Sequence, residues 1–428
     1  MMKGLINMDK KYEKFLLGKR DLVPPRGIQK TVIAIAHVTD INHYRFINDD
    51  ANHPSFLANI AGAGTGEKQE DAMFLATMEA YERLANSVPN KRTIVTTAEA
   101  LGDLAVDLDT FPHIGDSEKN SYLKRPLKNE KMRWSESYNL TDNKLCYVPQ
   151  VYINLFSRFK HEGENITHPI STGCAIHQNF VDAIINGIYE VIERDAIALS
   201  WLLKLPLKKI DLSHVEEDLE VFAQSFLGET ILYEASTVEG VYTFCLRARA
   251  NHSKHIKNVL MYSTSVCPKK AIKKIKKELI SVMYSLATAI PKQEKLLNQA
   301  YDLFYHVDEG ALLMAHEKMD EKFAFLDGNG EIEFPTVGHQ FQSNSEELNY
   351  LVEVLKKQGH TVYVTDITNK ECDEKGLRAV KVTIPTLQPI SFVHSARYLK
   401  SERLKKVAQG LYGYYKESFI NPEPLPFS

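Results

Sequence analysis

One long helical pattern constrains this chain more than any other feature. From Asn179 to Trp201, apolar residues recur at helical spacing and form a wide stripe, which predicts a helix packed into the core. Within it, Glu190 and Glu193 are three positions apart, so their Cβ atoms lie roughly 5–6 Å apart on one face. Adjacent carboxylates repel each other, and a bound divalent cation would explain why both are kept. The alternative is a solvated acidic face on an ordinary amphipathic helix.

The same motif occurs earlier in the chain. The segment M-E-A-Y-E-R-L-A at 78–85 repeats the E-x-x-E-R spacing of Y-E-V-I-E-R-D-A at 189–196. Each copy contributes two carboxylates and one guanidinium group, namely Glu79, Glu82 and Arg83 in the first copy, and Glu190, Glu193 and Arg194 in the second. Mg²⁺ takes few protein carboxylates and completes its shell with phosphate oxygens and water, and arginine suits the phosphates themselves. Two such helices facing each other therefore predict a bipartite site for a magnesium-bound nucleotide.

Composition excludes several classes of protein. The 428 residues are 44% hydrophobic and contain no proline- or serine-rich linker, which favours one large integrated unit. The net charge of −3 argues against a nucleic-acid-binding protein. Five scattered cysteines without a C-x-x-C pair argue against a disulfide framework and a cysteine-built metal site. The N-terminus lacks an apolar signal segment, and no apolar run approaches about 18 residues, so we expect a cytoplasmic protein without a membrane span.

Helical and strand patterns alternate along the chain and predict an α/β fold with mixed sheets. Further helices are predicted at 67–87, 268–286 and 346–357. The candidate strands share runs of β-branched and aromatic residues, and they lie at 31–38, 147–155, 231–236, 241–247, 259–263, 361–366 and 379–384. The lysine-rich face of the helix at 268–286 is interpreted as solvated rather than as a nucleic-acid patch.

Two further segments carry weaker predictions. Residues 61–66 read A-G-A-G-T-G before a helix, and such a glycine-rich turn can present backbone N–H groups to a phosphate. As a lone signal it is weak, because it matches neither the P-loop nor the dinucleotide-binding fingerprint. Residues 102–145 are polar and variable in pattern, so we expect surface loops and short elements around Trp134.

The chain ends in N-P-E-P-L-P-F-S at 421–428. Alternating prolines favour an extended, polyproline-like conformation, which would reach roughly 25 Å at ~3.1 Å per residue. A frayed terminus is the alternative. The strict alternation after a helical segment favours a stiff tail that occupies a specific place.

These motifs together resemble the YcaO family, specifically its ATP-dependent azoline-forming cyclodehydratases of ribosomal peptide natural-product and bacteriocin biosynthesis. The resemblance runs from about residue 60 to the C-terminus. The family pattern G-K-G-x₅-A-x₂-S-A-x₂-E-x₂-E-R lies over Gly64–Arg83, and S-N-G-x-A with E-A-x₃-G-x₂-E-x₂-E-R-D lies over 171–175 and Asp182–Asp195. The segment V-T-I-P-T-L-Q-P at 382–389 is similar to V-x-V-P-G-L-x-P, and the ending is similar to N-P-x-P-x-P-F, which characterises the cyclodehydratase branch.

The resemblance implies an α/β fold with Mg²⁺ and ATP bound between the two E-x-x-E-R helices. The metal ligands that it implies are Glu79, Glu82, Glu190 and Glu193. The residues that would line the nucleotide site are Arg83, Gln178, Asp182 and Arg194. The resemblance also implies that three prolines of the tail take part in cyclisation, namely Pro422, Pro424 and Pro426. The implied domain organisation is an N-terminal segment at 1–60 integrated with the core, a YcaO domain at 61–420 and the tail at 421–428.

The activity that the resemblance implies is ATP-dependent conversion of Cys, Ser or Thr in a precursor peptide to thiazoline or (methyl)oxazoline, by phosphorylation of the backbone amide oxygen. The implied partners are the precursor peptide, an E1-like or ocin-ThiF-like protein that binds its leader, and a flavin-dependent azoline dehydrogenase. We expect no leader-binding module in the first 60 residues. Two alternatives stay open: peptide thioamidation or amidine formation, and a degenerate ATP-binding scaffold subunit. The second is motivated by four departures from the family pattern, Thr65, Leu75, Gly310 and Met314.

Overall fold

The computed structural model describes residues 32–38, 61–87, 92–118, 120, 122–155, 159–215, 219, 228–336 and 338–428. Its strands are β1 Val32–Ala36, β2 Gly62–Gly66, β3 Thr93–Thr96, β4 Met132–Asn139, β5 Lys144–Pro149, β6 Cys174–His177, β7 Lys208–Ile210, β8 Gly228–Glu234, β9 Tyr242–Ala250, β10 Asn258–Ser265, β11 Glu331–Ile332, β12 Tyr363–Asp366 and β13 Arg378–Thr383. Its α-helices are α1 Gln69–Ser87, α2 Ala98–Leu101, α3 Phe180–Leu202, α4 Pro268–Ala289, α5 Gln293–Leu297, α6 Glu309–Met314, α7 Asn344–Lys357, α8 Lys370–Asp373 and α9 Glu402–Tyr412.

The strands form three sheets. Strands β1 and β2 make an antiparallel pair, and a five-stranded sheet has the order β10-β9-β8-β7-β11. A six-stranded sheet has the order β3-β4-β12-β13-β6, with β5 added to β4. Among the described strands, only β7 and β11 pair in parallel, because the other pairings are antiparallel. The α/β prediction is confirmed, and the mixed character belongs to the five-stranded sheet alone.

Helix α3 lies at the centre of the molecule. It packs against β6 and β13 of the six-stranded sheet on one side and against β10 of the five-stranded sheet on the other. Ile188 and Ile192 are fully buried, and burying each such side chain stabilises the fold by about 1.5–3 kcal/mol. Gly187 lets the helix approach β13, because a Cβ there would lie 2.6 Å from the Val382 side chain. The helix predicted from Asn179 to Trp201 is confirmed, with Asn179 as its N-cap.

The predicted glycine-rich turn at 61–66 is wrong, because these residues form strand β2. A Cβ at Gly62 would lie 2.0 Å from the Ala76 carbonyl oxygen, and one at Gly64 would lie 2.1 Å from that of Ala72. The strand therefore rests directly on the backbone of α1. The glycines permit this close approach, and the alanines of α1 complete it.

The expectation of surface loops and short elements at 102–145 is wrong at β4, which lies in the interior of the six-stranded sheet, whereas the described residues between 102 and 131 form loops and short helical turns. Trp134 is fully buried, and its Nε1 donates to the Thr96 carbonyl at 3.1 Å. The segment looks polar in sequence because β4 contains two buried serines. Ser137 Oγ shares a 2.7 Å hydrogen bond with Thr365 Oγ1, and Ser135 Oγ has no hydrogen-bond partner. Strand β5 ends at Pro149, earlier than the predicted strand at 147–155.

Other predicted elements match the fold. The strands predicted at 31–38, 231–236, 241–247, 259–263, 361–366 and 379–384 correspond to β1, β8, β9, β10, β12 and β13, and the helices at 67–87, 268–286 and 346–357 correspond to α1, α4 and α7. All five cysteines are free. No helix in the described part of the chain is long and apolar enough to cross a membrane. The predicted integration of residues 1–60 with the core falls largely outside the described residues, and the domain boundaries stay a prediction.

Candidate nucleotide and magnesium site

The first glutamate of each E-x-x-E-R motif is held by the same two kinds of donor. On α1, the backbone N–H of Ala63 donates to Glu79 Oε2 at 2.8 Å, and Arg83 Nη2 donates to Oε1 at 2.6 Å. On α3, the backbone N–H of Gly173 donates to Glu190 Oε2 at 2.9 Å, and Arg194 Nη2 lies 3.5 Å from Oε1. In each motif, one donor is a backbone N–H from the strand or turn that precedes the helix, and the other is the arginine one helical turn onward. The repeated sequence thus builds a repeated local structure.

The second glutamate of each motif has a raised pKa. Burial, followed by the charges of Glu190 and Glu79, raises the pKa of Glu82 well above its usual range. Burial raises the pKa of Glu193 to about 7, although the charges of Lys274 and Arg194 lower it. The Oε2 atom of Glu193 is buried without a hydrogen-bond partner. The charge of Glu190 acts on Glu82, so the motifs of α1 and α3 influence each other electrostatically.

Helix α4 adds two charged side chains that the sequence-based site left out. Lys274 Nζ lies 3.9 Å from Glu193 Oε2 and 3.5 Å from Glu278 Oε1. Burial raises the pKa of Glu278, and the neighbouring carboxylates, Glu193 foremost, raise that of Lys274. The signal was present in the sequence: Lys274 and Glu278 flank the buried stripe of Ala271 and Ile275 at helical spacing. The abundance of solvated lysines on the same helix concealed it.

Strand β13 contributes Lys381, which the sequence analysis also missed. Its side chain is buried, and Nζ donates to the Ile170 carbonyl at 2.6 Å. Its positive charge lowers the pKa of Glu82, against the larger effects of burial and of the neighbouring carboxylates. A lysine inside the apolar strand R-A-V-K-V-T is a visible exception to the pattern, and its proximity to Glu82 arises only when β13 meets α1.

The C-terminal tail docks onto the second half of α3. Trp201 Nε1 donates to the Glu423 carbonyl at 3.1 Å, and the backbone N–H of Asn421 donates to the Leu202 carbonyl at 2.8 Å. Glu423 also receives a hydrogen bond from the Tyr301 hydroxyl at 3.0 Å. Near the end of the tail, the Phe427 ring lies 4.6 Å from the guanidinium carbon of Arg194. The tail therefore occupies a specific place, as predicted, and its stiffness stays a prediction.

The tail also has a packing role. Pro424, Pro426 and Phe427 are buried, whereas Pro422 is exposed. Phe427 belongs to the largest apolar cluster of the described residues and packs edge-on against Tyr262, with ring centroids 6.4 Å apart. Because the tail buries apolar surface, its removal should lower stability as well as affect the site beside it.

The four departures from the family pattern fall in different surroundings. A Cβ at Gly310 would lie 2.4 Å from the Leu425 carbonyl oxygen, so glycine at this position lets the tail backbone approach α6. Met314 is fully buried in the core, and Leu75 is exposed on α1. Thr65 Oγ1 is buried without a hydrogen-bond partner. Of these four, Gly310 has a clear structural use in this chain.

Gln178 and Asp182 lie at the N-terminal end of α3. Gln178 is exposed. Asp182 Oδ2 lies 3.1 Å from His177 Nδ1, and its Oδ1 accepts a hydrogen bond from Asn344. Asp182 precedes Glu190 by about two helical turns, a rise of roughly 12 Å along α3. These two residues therefore lie at the N-terminal end of α3, about three helical turns or more before Arg194.

A family model supplies the deciding observation. It describes YcaO cyclodehydratases that bind ATP and Mg²⁺, and it matches residues 63–388. This chain belongs to the YcaO family. The matched range includes both E-x-x-E-R helices, Lys274, Glu278 and Lys381.

Solved structures place the YcaO chain in the same fold. A heterocyclase in complex with substrate and cofactor is similar with a TM-score of 0.76 at 18% identity, over 98% of this chain and 56% of that chain. The YcaO protein from Methanopyrus kandleri bound with AMPPCP and Mg²⁺ has a TM-score of 0.60 at 17% identity, over 89% of each chain. The E. coli microcin synthetase McbBCD complex with pro-MccB17 bound has a TM-score of 0.59 at 16% identity, over 86% of this chain and 90% of that chain.

These likenesses differ in extent. The YcaO chain spans little more than half the length of the heterocyclase that has the highest TM-score of the three. At identities below one fifth, the likenesses show the fold. No curated protein sequence matches the chain.

The residues of the site fit the Mg²⁺ that the family description names. In the described part of the YcaO chain, no three carboxylate, imidazole or thiol groups converge closely enough to form a metal site by themselves. Arginine, lysine and backbone donors engage Glu79, Glu190 and Glu193. A hard cation that takes few protein oxygens and completes its shell with phosphate and water suits such a set. The raised pKa of Glu82 shows that the positive charge around this carboxylate does not offset its burial and its carboxylate neighbours.

Proposed function

We propose that this YcaO protein uses ATP to convert Cys, Ser or Thr residues of a ribosomally made precursor peptide into thiazoline or (methyl)oxazoline rings. The observation that carries the proposal is the pair of E-x-x-E-R helices, whose first glutamates have the same two kinds of support and whose second glutamates have raised pKa values. Membership of a family of ATP- and Mg²⁺-binding cyclodehydratases supports it.

In this proposal, the carboxylates Glu79, Glu82, Glu190 and Glu193 hold Mg²⁺, which neutralises phosphate charge and orients the nucleotide. Arg194 binds phosphate oxygens, since its Nε and Nη1 are buried without hydrogen-bond partners. Arg83 has the corresponding place on α1, where it also holds Glu79. Gln178 and Asp182 bind the nucleoside end of ATP, because they lie at the far end of α3 from Arg194. Lys274 and Glu278 keep Glu193 in place.

The proposed reaction has three steps. The side-chain thiol or hydroxyl of the cyclising residue attacks the preceding carbonyl carbon and loses its proton to solvent, which gives a tetrahedral oxyanion. The oxyanion attacks the γ-phosphorus of ATP, and ADP departs. The carbon–oxygen bond then breaks, phosphate departs with the former amide oxygen, and the nitrogen loses its proton to form the ring C=N bond. Catalysis of phosphoryl transfer is mainly positioning and charge neutralisation, so no protein nucleophile is required. All five cysteines lack a covalent role, in keeping with the burial that raises the pKa of Cys174 to about 12.

The tail prolines serve this reaction by fixing the end of the chain. Pro422, Pro424 and Pro426 preset their backbone φ near −65°, so the docked tail loses little entropy on ordering. The tail thereby holds Phe427 over Arg194 and keeps the C-terminal residues beside the phosphate end of the site.

The partners follow from the same proposal. The precursor peptide is the substrate, and an E1-like or ocin-ThiF-like protein presents its leader. The E. coli McbBCD complex with pro-MccB17 bound, a multi-protein relative in fold, supports such an assembly. A flavin-dependent dehydrogenase would then oxidise azolines to azoles. We place the reaction in the cytoplasm, where ATP and newly made precursor peptides are both present.

An isotope experiment tests the proposal. A precursor peptide with ¹⁸O in the backbone amide before the cyclising residue is incubated with the protein, its leader-binding partner, Mg²⁺ and ATP. The expected result is ¹⁸O in released phosphate together with a mass loss of one water from the peptide. Label found only in water would overturn phosphorylation of the amide oxygen. Label lost with sulfur gained would favour thioamidation, and ATP binding without any peptide product would favour the scaffold alternative.

A further inference from the structure

A cleft of about 700 Å³ opens beside the phosphate end of the site. The cleft is lined by Val191 and Arg194 of α3, by Lys381 of β13 and by residues of the segment 382–390. Phe111, Val151, Tyr152 and residues of the segment 167–172 also line it. The arginine of the second E-x-x-E-R motif thus borders the cleft, whereas neither Gln178 nor Asp182 does. Its lining is mainly apolar, so its few polar atoms determine what it can bind.

Gln388 provides a hydrogen-bond acceptor held in a fixed orientation in this cleft. The side chain is 1% exposed, and its Nε2 donates to the carbonyls of Arg397 at 3.3 Å and Tyr398 at 3.2 Å. Its backbone N–H donates to Asp195 Oδ1 at 2.8 Å. These bonds fix the amide group, while Gln388 Oε1 remains buried without a hydrogen-bond partner. A buried acceptor held in one orientation calls for a ligand N–H group.

Tyr152 supplies the complementary donor. Its hydroxyl is buried without a hydrogen-bond partner, and burial raises its pKa, so the group stays protonated. The ring stacks on Phe111 with centroids 4.0 Å apart and planes 20° apart, which holds the hydroxyl in place. An N–H acceptor and an O–H donor in one apolar cleft match the alternating N–H and C=O groups of a peptide backbone. The stacked rings offer a flat wall for a planar amide or azoline.

The position of the cleft favours binding of the peptide, which accepts the phosphoryl group in the proposed reaction. Arg194 lies about 18 Å along α3 from Asp182, by the helical rise of twelve residues. A nucleotide that extends from Asp182 toward Arg194 has its phosphates at the cleft entrance. Pro389 and Ile390 line both this cleft and a second cavity bounded by the tail residues Glu423, Leu425 and Phe427. The cleft therefore lies between the phosphate end and the docked tail.

We propose that this cleft binds the acceptor peptide, with Gln388 Oε1 accepting the N–H of the residue before the cyclising Cys, Ser or Thr, and with Tyr152 donating to a neighbouring peptide carbonyl. The inference rests on the proposed function and names the recognition of its substrate. Gln388 and Tyr152 act here as binding residues that position the peptide amide at the phosphate end. Gln388 occupies the position x of the L-x-P pattern, which the pattern does not specify, so this recognition is a property of the present chain.

The test uses the full chain with Mg²⁺ and a non-hydrolysable ATP analogue. The probes are the capped peptide acetyl-Ala-Gly-Cys-Ala-amide and an analogue with glycolic acid in place of glycine, in which an ester oxygen replaces one N–H. Ligand-observed NMR measures both affinities. The amide should bind the parent about 3–10-fold more tightly than the ester. Gln388→Met should weaken the amide peptide alone, so that the two probes bind equally.

A second variant keeps the test decisive if Gln388→Met perturbs the fold. Tyr152→Phe removes an oxygen with no protein partner, so stability should hold while both probes bind about 3–10-fold more weakly. Equal affinity of amide and ester for the parent overturns the inference, as does absence of peptide binding up to about 10 mM. If the variants weaken the ATP analogue instead, the cleft is a nucleotide pocket and the inference fails. Failure of the parent to bind Mg-ATP at all would instead refute the proposed function.

Discussion

Helices α1 and α3 carry the same motif but are held in the fold by different means. The residue after the arginine is Leu84 in α1, fully buried among apolar neighbours, and Asp195 in α3, also fully buried. Arg403 donates to Asp195 Oδ2 at 2.8 Å, and Thr237 donates to the same oxygen at 2.7 Å. Helix α1 instead rests its alanines on the glycines of β2. The comparison shows that one site geometry can be supported by backbone contact on one side and by a buried ion pair on the other.

The two arginines of the motifs differ in exposure, and the arginine on α3 is the more buried. The Arg83 side chain is 38% exposed, whereas that of Arg194 is 19% exposed and lies beneath the Phe427 ring. Helix α3 lies between two sheets, and α1 packs mainly on the two-stranded pair. We infer that α3 is the fixed half of the site and α1 the more accessible half.

The variants with the largest expected effect test whether the motifs of α1 and α3 act together. Glu190→Gln and Glu82→Gln should each lower Mg-dependent ATP hydrolysis at least about 100-fold, because a bound metal supplies several kcal/mol of charge stabilisation. Melting temperatures should stay near that of the parent, because glutamine at position 190 keeps an acceptor oxygen for the Gly173 N–H and glutamine at position 82 removes a carboxylate that burial and its neighbours disfavour. Steady-state hydrolysis with the precursor peptide and the leader-binding partner measures the effect.

Glu374→Gln serves as the control, because this carboxylate is 55% exposed and pairs with Lys370 at the surface. It should hydrolyse ATP at the parental rate. Full activity in both Glu190→Gln and Glu82→Gln would contradict the bipartite site. Loss in one variant alone would show that a single helix carries the metal.

A stability measurement tests the different supports. Asp195→Asn should lower the free energy of unfolding by about 3–5 kcal/mol, because Arg403 is left as an uncompensated buried charge. The double variant Asp195→Asn with Arg403→Met should recover much of that loss. Urea unfolding followed by tryptophan fluorescence measures both. Equal stability of the single and double variants would show that the ion pair does not lock α3.

The smallest effect concerns pH and Glu193. The pKa of Glu193 is raised to about 7 in the fold, from a usual value of 4.5, mainly by burial. Its protonation therefore stabilises the fold fully below the unfolded pKa, and this stabilisation is lost as pH rises through about 7. Without Mg²⁺, Glu193→Gln should be more stable than the parent by about 1–3 kcal/mol at pH 8 and equal to it near pH 4.5.

Saturating Mg-ATP should reverse the order at pH 8, because the ionised carboxylate then has a cation. Thermal unfolding at both pH values, with and without Mg-ATP, provides the measurement. A variant that stays less stable than the parent at pH 8 without Mg²⁺ would show that Lys274 already balances Glu193.

Much of the site was predictable because its residues repeat at helical spacing. The bounds of α3, the E-x-x-E-R repeat and the placed tail follow from local periodicity, from side-chain chemistry and from proline stiffness. Strand β2 was not predictable as a strand, since glycine has low strand propensity and only contact with α1 explains it. Strand β4 was missed because its serines look solvated in sequence, and the Ser137 hydroxyl finds its partner only when β12 packs beside it.

By itself, the sequence determined which groups we propose for the chemistry: two carboxylates and one arginine on each of two helices, and a proline-rich tail. These features depend on neighbours within a few residues. Only the tertiary structure decided what surrounds them. Lys274 reaches Glu193, Lys381 acts on Glu82, Phe427 covers Arg194, and Gln388 presents a buried acceptor. Each of these contacts joins elements far apart in the chain, and the burial that sets their charge and hydrogen bonding exists only once the sheets close around α3.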